Sequence, residues 1–433
     1  MPAMERTKEK SLDLINEKLK NGTAVIMTAH DFKESIRNGK KYTVDDIDVV
    51  TTATMGVMSG TSAVFTIPVT EPGLFCRAEK IFLNGVPGFP GPAPNERLGE
   101  VDCVVYGTSH SIYNHRYGGG HLYYDLVKRN PVKIEVHADD GRIFTNSITL
   151  DQVSFARIYS FRNCFKGYNA FTNVKTNAYY KSIFAFRPME PDWGLSLVGC
   201  GEVNPIENDP KFRHIKPGTK ILVNNAPGII IGTGTRSIPV KPNLSLVADM
   251  YQMDPEFMGG FIASGGAEVL TSVAIPIPVL DKDMLKAIMD SLDERIGIPI
   301  CDVSDRQPIA KVTYADFWQG RDLEVEYVSE DCINCSFSCI AEHYCPVTAI
   351  SWREKKRDET KCARCGACTV NCLGGAFKAN MGKVKFDGKE LPVVFRQSNR
   401  YKALKLAQIL KEKVPTGNFF NDTDDDILFK GLR

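Results

Sequence analysis

The spacing of apolar residues predicts one helix near each end of the chain. In "SLDLINEKLKNG" apolar residues recur at helical spacing between Leu12 and Leu19, and Asn21-Gly22 supplies a stop signal. A strand in "TAVIMTA" should follow. The second pattern, "YKALKLAQILKEKV", has an apolar stripe on one side, formed by Leu404, Leu406, Ile409 and Leu410. This helix needs another surface to cover the stripe.

Short β-rich runs dominate the sequence between these helices. "KILVNNAPGIIIGTGTR" from Lys220 holds two such runs around an Asn-Asn-Ala-Pro-Gly break, which predicts a hairpin. Further strands are expected in "CVVYG", "VKIEVHA" and "LSLVADM". The pattern therefore indicates an α+β protein whose N-terminal part is a large domain of mixed α/β structure, without resolving its topology.

Composition and charge restrict the classes of partner. The chain has 433 residues, 43% of them hydrophobic and 24% charged, and its net charge of +1 gives no electrostatic reason to bind nucleic acid or an anionic membrane. The longest apolar runs are far shorter than the roughly 20 residues of a spanning helix, and "MPAMERTKEK" has no apolar signal core. We expect a cytoplasmic protein.

Eight of the thirteen cysteines lie between Cys332 and Cys372. "CARCGACTVNC" has the C-x2-C-x2-C-x3-C spacing of bacterial ferredoxins that hold two [4Fe–4S] clusters. The preceding "CINCSFSCIAEHYCP" is a looser copy that keeps the Cys-Pro ending. Cross-ligation in such ferredoxins assigns one cluster to Cys332, Cys335, Cys339 and Cys372, and the other to Cys362, Cys365, Cys368 and Cys345. Two zinc sites are the alternative, although these spacings are not typical of zinc ribbons.

These patterns divide the chain into three parts. The large domain covers residues 1–325, a bacterial-type ferredoxin domain with two [4Fe–4S] clusters covers 326–385, and a helical docking tail covers 386–433. The charged stretch "DFWQGRDLEVEYVSED" marks the first boundary. We expect the tail helix to pack back on the large domain and to fix one cluster near its pocket.

Several segments of the large domain resemble a known family. They are "DVVTTATMGVMSGTSAVF", "YGGGHLYYDLV", "VNPIENDPKFRHIKPGTKILVNNAPG" and "YQMDPEFMGG". Together they resemble the homocysteine-biosynthesis domain of the aspartate-semialdehyde sulfurtransferases of anaerobic archaea and bacteria. With ferredoxin motifs behind it, the chain is similar to the methanogenesis marker 16 metalloproteins, a proposed coenzyme M synthase subfamily.

The resemblance implies an iron–sulfur-dependent reductive sulfurtransferase. It would convert a small anionic aldehyde, most simply sulfoacetaldehyde, to a thiol. Its implied partners are that aldehyde, a sulfide or persulfide donor and a low-potential electron donor, and a homo-oligomer is left open. The alternatives are homocysteine formation from aspartate semialdehyde, and a non-catalytic electron-transfer or scaffold subunit.

The thiol that would carry sulfur cannot be copied from the family. Its homocysteine-forming members carry cysteines where this chain has Ser59 and, near the second position, Ala138. Cys200, between two glycines, is the first candidate because a tight turn would expose its sulfur. Cys164, near two cations, is the second. Cys301 looks like an inert core thiol, and Cys76 and Cys103 look like strand residues. Sulfide bound directly to a cluster iron is a further option.

Two glycine-rich segments are candidate anion cradles. Arg116 with Gly118, Gly119 and Gly120 is one, and Arg236 after "GTGT" is the other, although ordinary turns explain both glycine runs equally well. "GTGTRS" lacks the full dinucleotide-binding motif. His121 could protonate the leaving oxygen because a histidine titrates near neutrality, or it could be structural.

Overall fold

The computed structural model describes residues 9–420. Its helices are α1 (Leu12–Lys20), α2 (Ala29–Arg37), α3 (Gly119–Val127), α4 (Pro205–Asn208), α5 (Lys282–Asp290), α6 (Ala315–Trp318), α7 (Ile340–His343), α8 (Ala367–Asn371) and α9 (Arg400–Lys413). Its strands are β1 (Ile26–Thr28), β2 (Val49–Val57), β3 (Thr61–Pro68), β4 (Ala78–Leu83), β5 (Val86–Pro90), β6 (Glu100–Tyr106), β7 (Val132–Ala138), β8 (Ile143–Ile148), β9 (Phe155–Asn163), β10 (Ala170–Thr172), β11 (Leu195–Leu197), β12 (Lys220–Val223), β13 (Ala226–Thr233), β14 (Leu244–Asp249), β15 (Gly259–Ala263), β16 (Gly266–Pro278), β17 (Gly297–Asp302), β18 (Pro308–Thr313), β19 (Glu326–Tyr327), β20 (Ile350–Ser351), β21 (Lys356–Arg357), β22 (Phe377–Lys378), β23 (Lys383–Phe386) and β24 (Lys389–Arg396).

A large sheet organises most of the chain. Its strand order is β1-β2-β16-β12-β13-β14-β9-β3-β6-β5-β4-β7-β8, and β15 pairs with β16. The long antiparallel pair β2–β16 runs through its buried part, and every residue of β2 is buried. A strand that is buried on both faces has a continuous run of apolar residues and no alternation of apolar and polar residues. The periodicity of the sequence therefore could not predict the topology of the sheet.

The predicted local elements are confirmed. α1 ends at Lys20 and is capped by Asn21. The strand after it is shorter than expected, since α2, which the pattern did not indicate, begins at Ala29. β12 and β13 form the predicted antiparallel hairpin, in which Asn224 and Asn225 both adopt positive φ as a two-residue hairpin turn requires. The runs expected as strands are β6, β7 and β14.

A second sheet has the order β18-β17-β10-β11-β24-β23, so strands after the cysteine-rich segment pair with strands before it. β24 runs parallel to β11. The sequence did not predict this strand, because the tail was interpreted as helical. Residues 1–8 and 421–433, which belong to the predicted first and last parts, lie outside the described residues.

Helix α9 lies against β1, β2 and β16 of the large sheet. Leu406 and Leu410 of its apolar stripe are fully buried. At its start, the buried Arg400 guanidinium forms salt bridges with Asp293 at 2.5 Å and Glu202 at 3.3 Å. The helix is therefore held by apolar packing along its length and by paired charges at its N-terminal end.

The cysteine-rich segment consists of short elements and shares a hydrophobic core with the second sheet. β19 pairs with β22 and β20 pairs with β21, while α7 contacts α8. Cys345 and Cys365 belong to the same core cluster as Phe395 of β24 and Leu406 of α9. Within residues 9–420, no helix combines the length and the apolar character needed to cross a bilayer.

Candidate functional site

Four half-buried cysteines line one cavity in the C-terminal part of the chain. They form the first cysteine set, Cys332, Cys335, Cys339 and Cys372. Backbone N–H groups donate to two of their sulfurs, from Glu342 to Cys339 Sγ at 3.5 Å and from Ala376 to Cys372 Sγ at 3.3 Å. Hydrogen bonds to sulfur stabilise the negative charge that a metal-bound thiolate carries.

Four buried cysteines form the second cysteine set, Cys345, Cys362, Cys365 and Cys368. Burial raises the pKa of Cys368, and the nearby sulfurs of Cys365, Cys345 and Cys362 raise it further. The four sulfurs therefore lie close enough to repel one another as thiolates. Such a group is stable as thiolates only when a positive centre binds them.

The spacing of the sulfurs discriminates between two kinds of metal centre. Four thiolates on one zinc ion lie about 3.8 Å apart, because the Zn–S bond is roughly 2.3 Å long and the site is tetrahedral. Among the described residues, which include all eight cysteines of both sets, no three cysteine sulfurs lie within 4.8 Å of one another. Sulfurs that each bind a different iron of one cluster lie farther apart than the sulfurs on one zinc ion.

The second set is joined directly to the rest of the fold. The backbone N–H of Arg396 in β24 donates to the Cys365 carbonyl at 2.9 Å, and that of Ile262 in β15 donates to the Pro346 carbonyl at 2.7 Å. Gln397, the next residue after Arg396, lines a separate cleft. One peptide unit therefore links the second cysteine set to that cleft.

This cationic cleft has a volume of about 350 Å³. Its positive groups are Arg162, Arg236, Lys241 and Arg306, and Ser59 also lines it. Burial lowers the pKa of Arg162, and the charges of Arg236 and Arg306 lower it further. Among the described residues, none of these four cations forms a salt bridge with a carboxylate. Such a group of like charges offers charge-assisted hydrogen bonds to an anion.

Two further groups adjoin the cleft. Lys241 Nζ donates to Asn169 Oδ1 at 2.7 Å, and Asn169 Nδ2 donates to Cys301 Sγ at 3.5 Å. Burial raises the pKa of Cys301, and the Lys241 charge opposes that rise. On the other side the Glu268 carboxyl lies near Ser59, and burial raises its pKa to about 7.

The sequence family of the chain follows from comparison with known proteins. The family described as "Homocysteine biosynthesis enzyme, sulfur-incorporation" matches residues 24–420. The chain belongs to this family. An uncharacterized protein of Methanothermobacter thermautotrophicus is 41% identical over 407 residues, 94% of this chain and 93% of that protein. An uncharacterized protein of Methanocaldococcus jannaschii is 38% identical over 396 residues, 91% and 98% of the two chains.

One relative of the chain has a named activity. The L-aspartate semialdehyde sulfurtransferase of Methanocaldococcus jannaschii is 30% identical over 331 residues, which cover 72% of this chain and 63% of that protein. No solved structure matches the chain. The relatives therefore indicate an enzyme family with sulfurtransferase-type activity.

The expected exposure of the Cys200 sulfur is wrong for this member of the sulfur-incorporation family. Gly199 and Gly201 do have positive φ, as a tight turn requires, but Cys200 is fully buried and its Sγ donates to the Met55 carbonyl at 3.5 Å. Burial raises its pKa. The turn directs the sulfur inward rather than toward solvent.

The expected low pKa of Cys164 is also wrong. Cys164 is fully buried, and burial raises its pKa despite the neighbouring Arg162 and Lys166. Proximity in sequence does not make the cations neighbours of the sulfur. Cys301 was expected to be an inert core thiol. Its hydrogen-bond partner, Asn169, lines the cationic cleft.

Of the two predicted anion cradles, one takes part in the cleft. Arg236 lines it. Arg116 does not, because its guanidinium donates to the carbonyls of His343 at 2.5 Å and Cys345 at 2.8 Å. It holds the loop before α3 against the second cysteine set.

The triple glycine serves close packing. A Cβ on Gly119 would lie 2.3 Å from the Tyr106 carbonyl oxygen, and one on Gly120 would lie 2.8 Å from that of Glu268. Gly118 likewise packs against Ala267. The expectation that these three glycines form an anion cradle with Arg116 is therefore wrong, because α3 needs them to approach the neighbouring strands.

The expected near-neutral titration of His121 is wrong as well. Burial lowers its pKa to about 4, and the charges of Lys361 and Arg116 lower it further. The ring is neutral at pH 7 and holds no proton that it could release as an acid there. A different group, Glu268, has the pKa that this role needs, but nothing in its local sequence indicated that it would be buried beside Ser59.

Proposed function

We propose that the protein is a reductive sulfurtransferase that converts sulfoacetaldehyde to the thiol coenzyme M, 2-mercaptoethanesulfonate, with sulfur from sulfide or a persulfide. The cationic cleft is the observation that carries this proposal. A sulfonate has three oxygens that accept charge-assisted hydrogen bonds, and three guanidinium groups and one ammonium converge on the cleft.

The lining of the cleft favours this aldehyde over aspartate semialdehyde. The residues that line it include no aspartate and no glutamate. Aspartate semialdehyde carries an ammonium group beside its carboxylate, and an ammonium among four cations would lack a partner and be repelled. Sulfoacetaldehyde has only the negative group. The family relationship supplies the sulfur chemistry, and the charge of the cleft supplies the choice of substrate.

The reaction needs a proton donor near the carbonyl carbon. Sulfide adds to that carbon and forms a C–S bond, and the resulting thiohemiacetal then takes up two electrons and two protons and releases its oxygen as water. Ser59 lines the cleft and lies near Glu268, whose pKa of about 7 leaves part of it protonated at neutrality. We assign Glu268, acting through Ser59, to protonation of the leaving oxygen.

The eight cysteines fit two [4Fe–4S] clusters, which would supply the two electrons one at a time. The first set is half-buried and lies nearer to solvent than the buried second set. Because Gln397 lies in the cleft and the Arg396 backbone bonds to that of Cys365, we assign the second set to electron delivery to the substrate. Electrons from a low-potential donor would enter at the first set.

The decisive experiment supplies both aldehydes to anaerobically purified protein with sulfide and a chemical reductant. We expect coenzyme M from sulfoacetaldehyde and little or no homocysteine from aspartate semialdehyde, measured by mass spectrometry of the alkylated thiols. Homocysteine as the main product would mean that aspartate semialdehyde, and not sulfoacetaldehyde, is the substrate. No thiol from any short aldehyde, with both clusters present, would favour an electron-transfer or scaffold subunit.

A further inference from the structure

A second, smaller cavity lies between α3 and the loop that follows Cys345. It has a volume of about 140 Å³, and its lining includes His121, Tyr124, Asp125, Val347, Thr348 and Lys361. None of these residues lines the cationic cleft. A water molecule takes up roughly 30 Å³ of liquid volume, so a cavity of this size suits a ligand of very few heavy atoms.

Two buried polar atoms of this α3 cavity have no hydrogen-bond partner among the described residues. They are the Nε2 atom of His121 and the hydroxyl oxygen of Tyr124. Tyr124 is 5% exposed. An unpaired buried polar group costs about 1 to 3 kcal/mol, and two on neighbouring turns of one helix indicate that a ligand normally pairs with them.

The tautomer of His121 makes its free nitrogen a donor. The backbone N–H of Gly118 donates to Nδ1 at 3.2 Å, so Nδ1 is the acceptor. The low pKa keeps the ring neutral, and its single proton therefore lies on Nε2. Nε2–H and the Tyr124 hydroxyl are both donors, and the Lys361 ammonium lies 5.6 Å from the centre of the Tyr124 ring. These groups together select an anion.

One acceptor also faces this cavity. Asp125 accepts from the Tyr117 hydroxyl at 2.6 Å and from Asn130 Nδ2 at 2.9 Å, each at a different oxygen. Each carboxylate oxygen has two lone pairs and here accepts one of these two hydrogen bonds. Each oxygen of Asp125 therefore keeps one lone pair that can accept a proton from a ligand. The lining thus fits an anion that still carries a proton better than it fits a halide.

We propose that the α3 cavity binds hydrosulfide, the sulfur donor of the proposed reaction. The sulfur accepts from His121 Nε2 and the Tyr124 hydroxyl, Lys361 balances its charge, and its proton faces Asp125. The inference rests on the proposed function for the identity of the anion. The cavity wall includes Val347 and Thr348, which directly follow the Cys345 and Pro346 pair, so the bound sulfur would lie beside the second cysteine set.

Hydroselenide tests this site, since it has the same charge and proton as hydrosulfide and scatters anomalously. Crystals of the anaerobically purified full chain are soaked in sodium hydroselenide. We expect a selenium peak in the cavity. Added sodium hydrosulfide should displace the selenium, and the peak should be weaker in Tyr124→Phe and in Lys361→Met. Lys128→Met is the matched control, because Lys128 also lies over the Tyr124 ring, at 5.7 Å, but does not line the cavity. Selenium only at the cysteine sets, or only water in the cavity, overturns the proposal.

Kinetics separate this proposal from the proposed function. In Tyr124→Phe we expect the KM for sulfide to rise about tenfold, the effect of one hydrogen bond to a charged group, with the KM for the aldehyde unchanged. Thiol formation with an unaltered KM for sulfide in this variant overturns the cavity and leaves the reaction intact. A selenium peak at these residues without thiol formation from any aldehyde overturns the proposed reaction and leaves the anion site in the cavity intact.

Discussion

The four cations of the cleft come from distant parts of the sequence. Arg162 lies in β9, Arg236 and Lys241 lie between β13 and β14, and Arg306 lies between β17 and β18. Like charges brought together in a fold repel one another unless an anion compensates them. In the empty protein this repulsion is partly screened by solvent, because Arg236 and Arg306 are exposed.

Replacing one of these cations should affect binding and stability in opposite directions. We expect Arg306→Met to lower kcat/KM for sulfoacetaldehyde about 10- to 100-fold, the range for one charge-assisted hydrogen bond. The same change should leave the melting temperature equal or higher, since repulsion is removed. Arg295→Met is the control, because Arg295 pairs with Asp290 at the surface. An equal loss of activity in both variants would contradict the assignment of the cleft.

Glu268 should make folding stability depend on pH. Its pKa is raised from 4.5 to about 7 by burial, so the folded state binds the proton more tightly than the unfolded state. The stabilisation is complete below about pH 4.5 and is lost as the pH rises through about 7. Between roughly pH 5 and 8 the free energy of unfolding should fall by about 2 to 3 kcal/mol more in the wild type than in Glu268→Gln.

The measurement for Glu268 is denaturant unfolding of both proteins at several pH values. Because all other carboxyls are common to the two proteins, the difference between the curves isolates Glu268. Parallel curves would mean that the carboxyl is not buried as described, and its role as a proton donor would lose its basis.

At the scale of a residue, spacing was informative only where the chemistry is local. The cysteine sets were assigned from C-x2-C patterns because a cluster is wrapped by neighbouring residues, and the structure brings Cys332 and Cys372 to one cavity. The cleft could not be found this way. Arg162 and Arg306 are separated by 144 residues. No local pattern predicts that the end of β9, which carries Arg162, and the loop between β17 and β18, which carries Arg306, lie close together.

At the scale of an element, helix α9 tests how the tail is held. Leu406 is fully buried against the large sheet, and Thr51 of β2 donates through its hydroxyl to the Ala407 carbonyl at 2.9 Å. We expect Leu406→Ala to lower stability by about 2 to 5 kcal/mol, seen as a lower melting temperature, while the exposed Gln408→Ala changes it little. Similar melting temperatures for the two variants would show that α9 does not depend on its apolar stripe.

The elements that were predicted correctly are those whose signals are local. α1 has a periodic face and an Asn-Gly stop, and the β12–β13 hairpin has two residues suited to positive φ. β24 was missed because its partner, β11, lies almost two hundred residues earlier, and pairing at that distance leaves no periodic trace. For the same reason, truncation after Gly382 would remove two strands of the second sheet, β23 and β24, and not only a docking helix.

At the scale of the whole molecule, the two cysteine sets differ in access to solvent. The first set is half-buried and surrounded by exposed residues such as Phe337, which is 97% exposed, whereas the second set is buried. With a chelator and an oxidant we expect iron to fall from roughly eight to roughly four per chain in a fast phase, and the rest to be lost slowly. Cys335→Ala should show only the slow phase. Simultaneous loss of all iron would mean that both sets are equally accessible.

The parallel pairing of β24 with β11 has a consequence for synthesis on the ribosome. β11 leaves the ribosome long before its partner, and all eight clustered cysteines emerge in the interval between them. Until β24 appears, the loop around Cys365 lacks the strand that hydrogen-bonds to it, whereas β15, the partner of Pro346, has already been made. The second cysteine set would thus remain open to cluster assembly while the segment from Cys372 to Lys413 is translated, a few seconds at about 5 to 20 residues per second. Maturation would be timed by the order of translation.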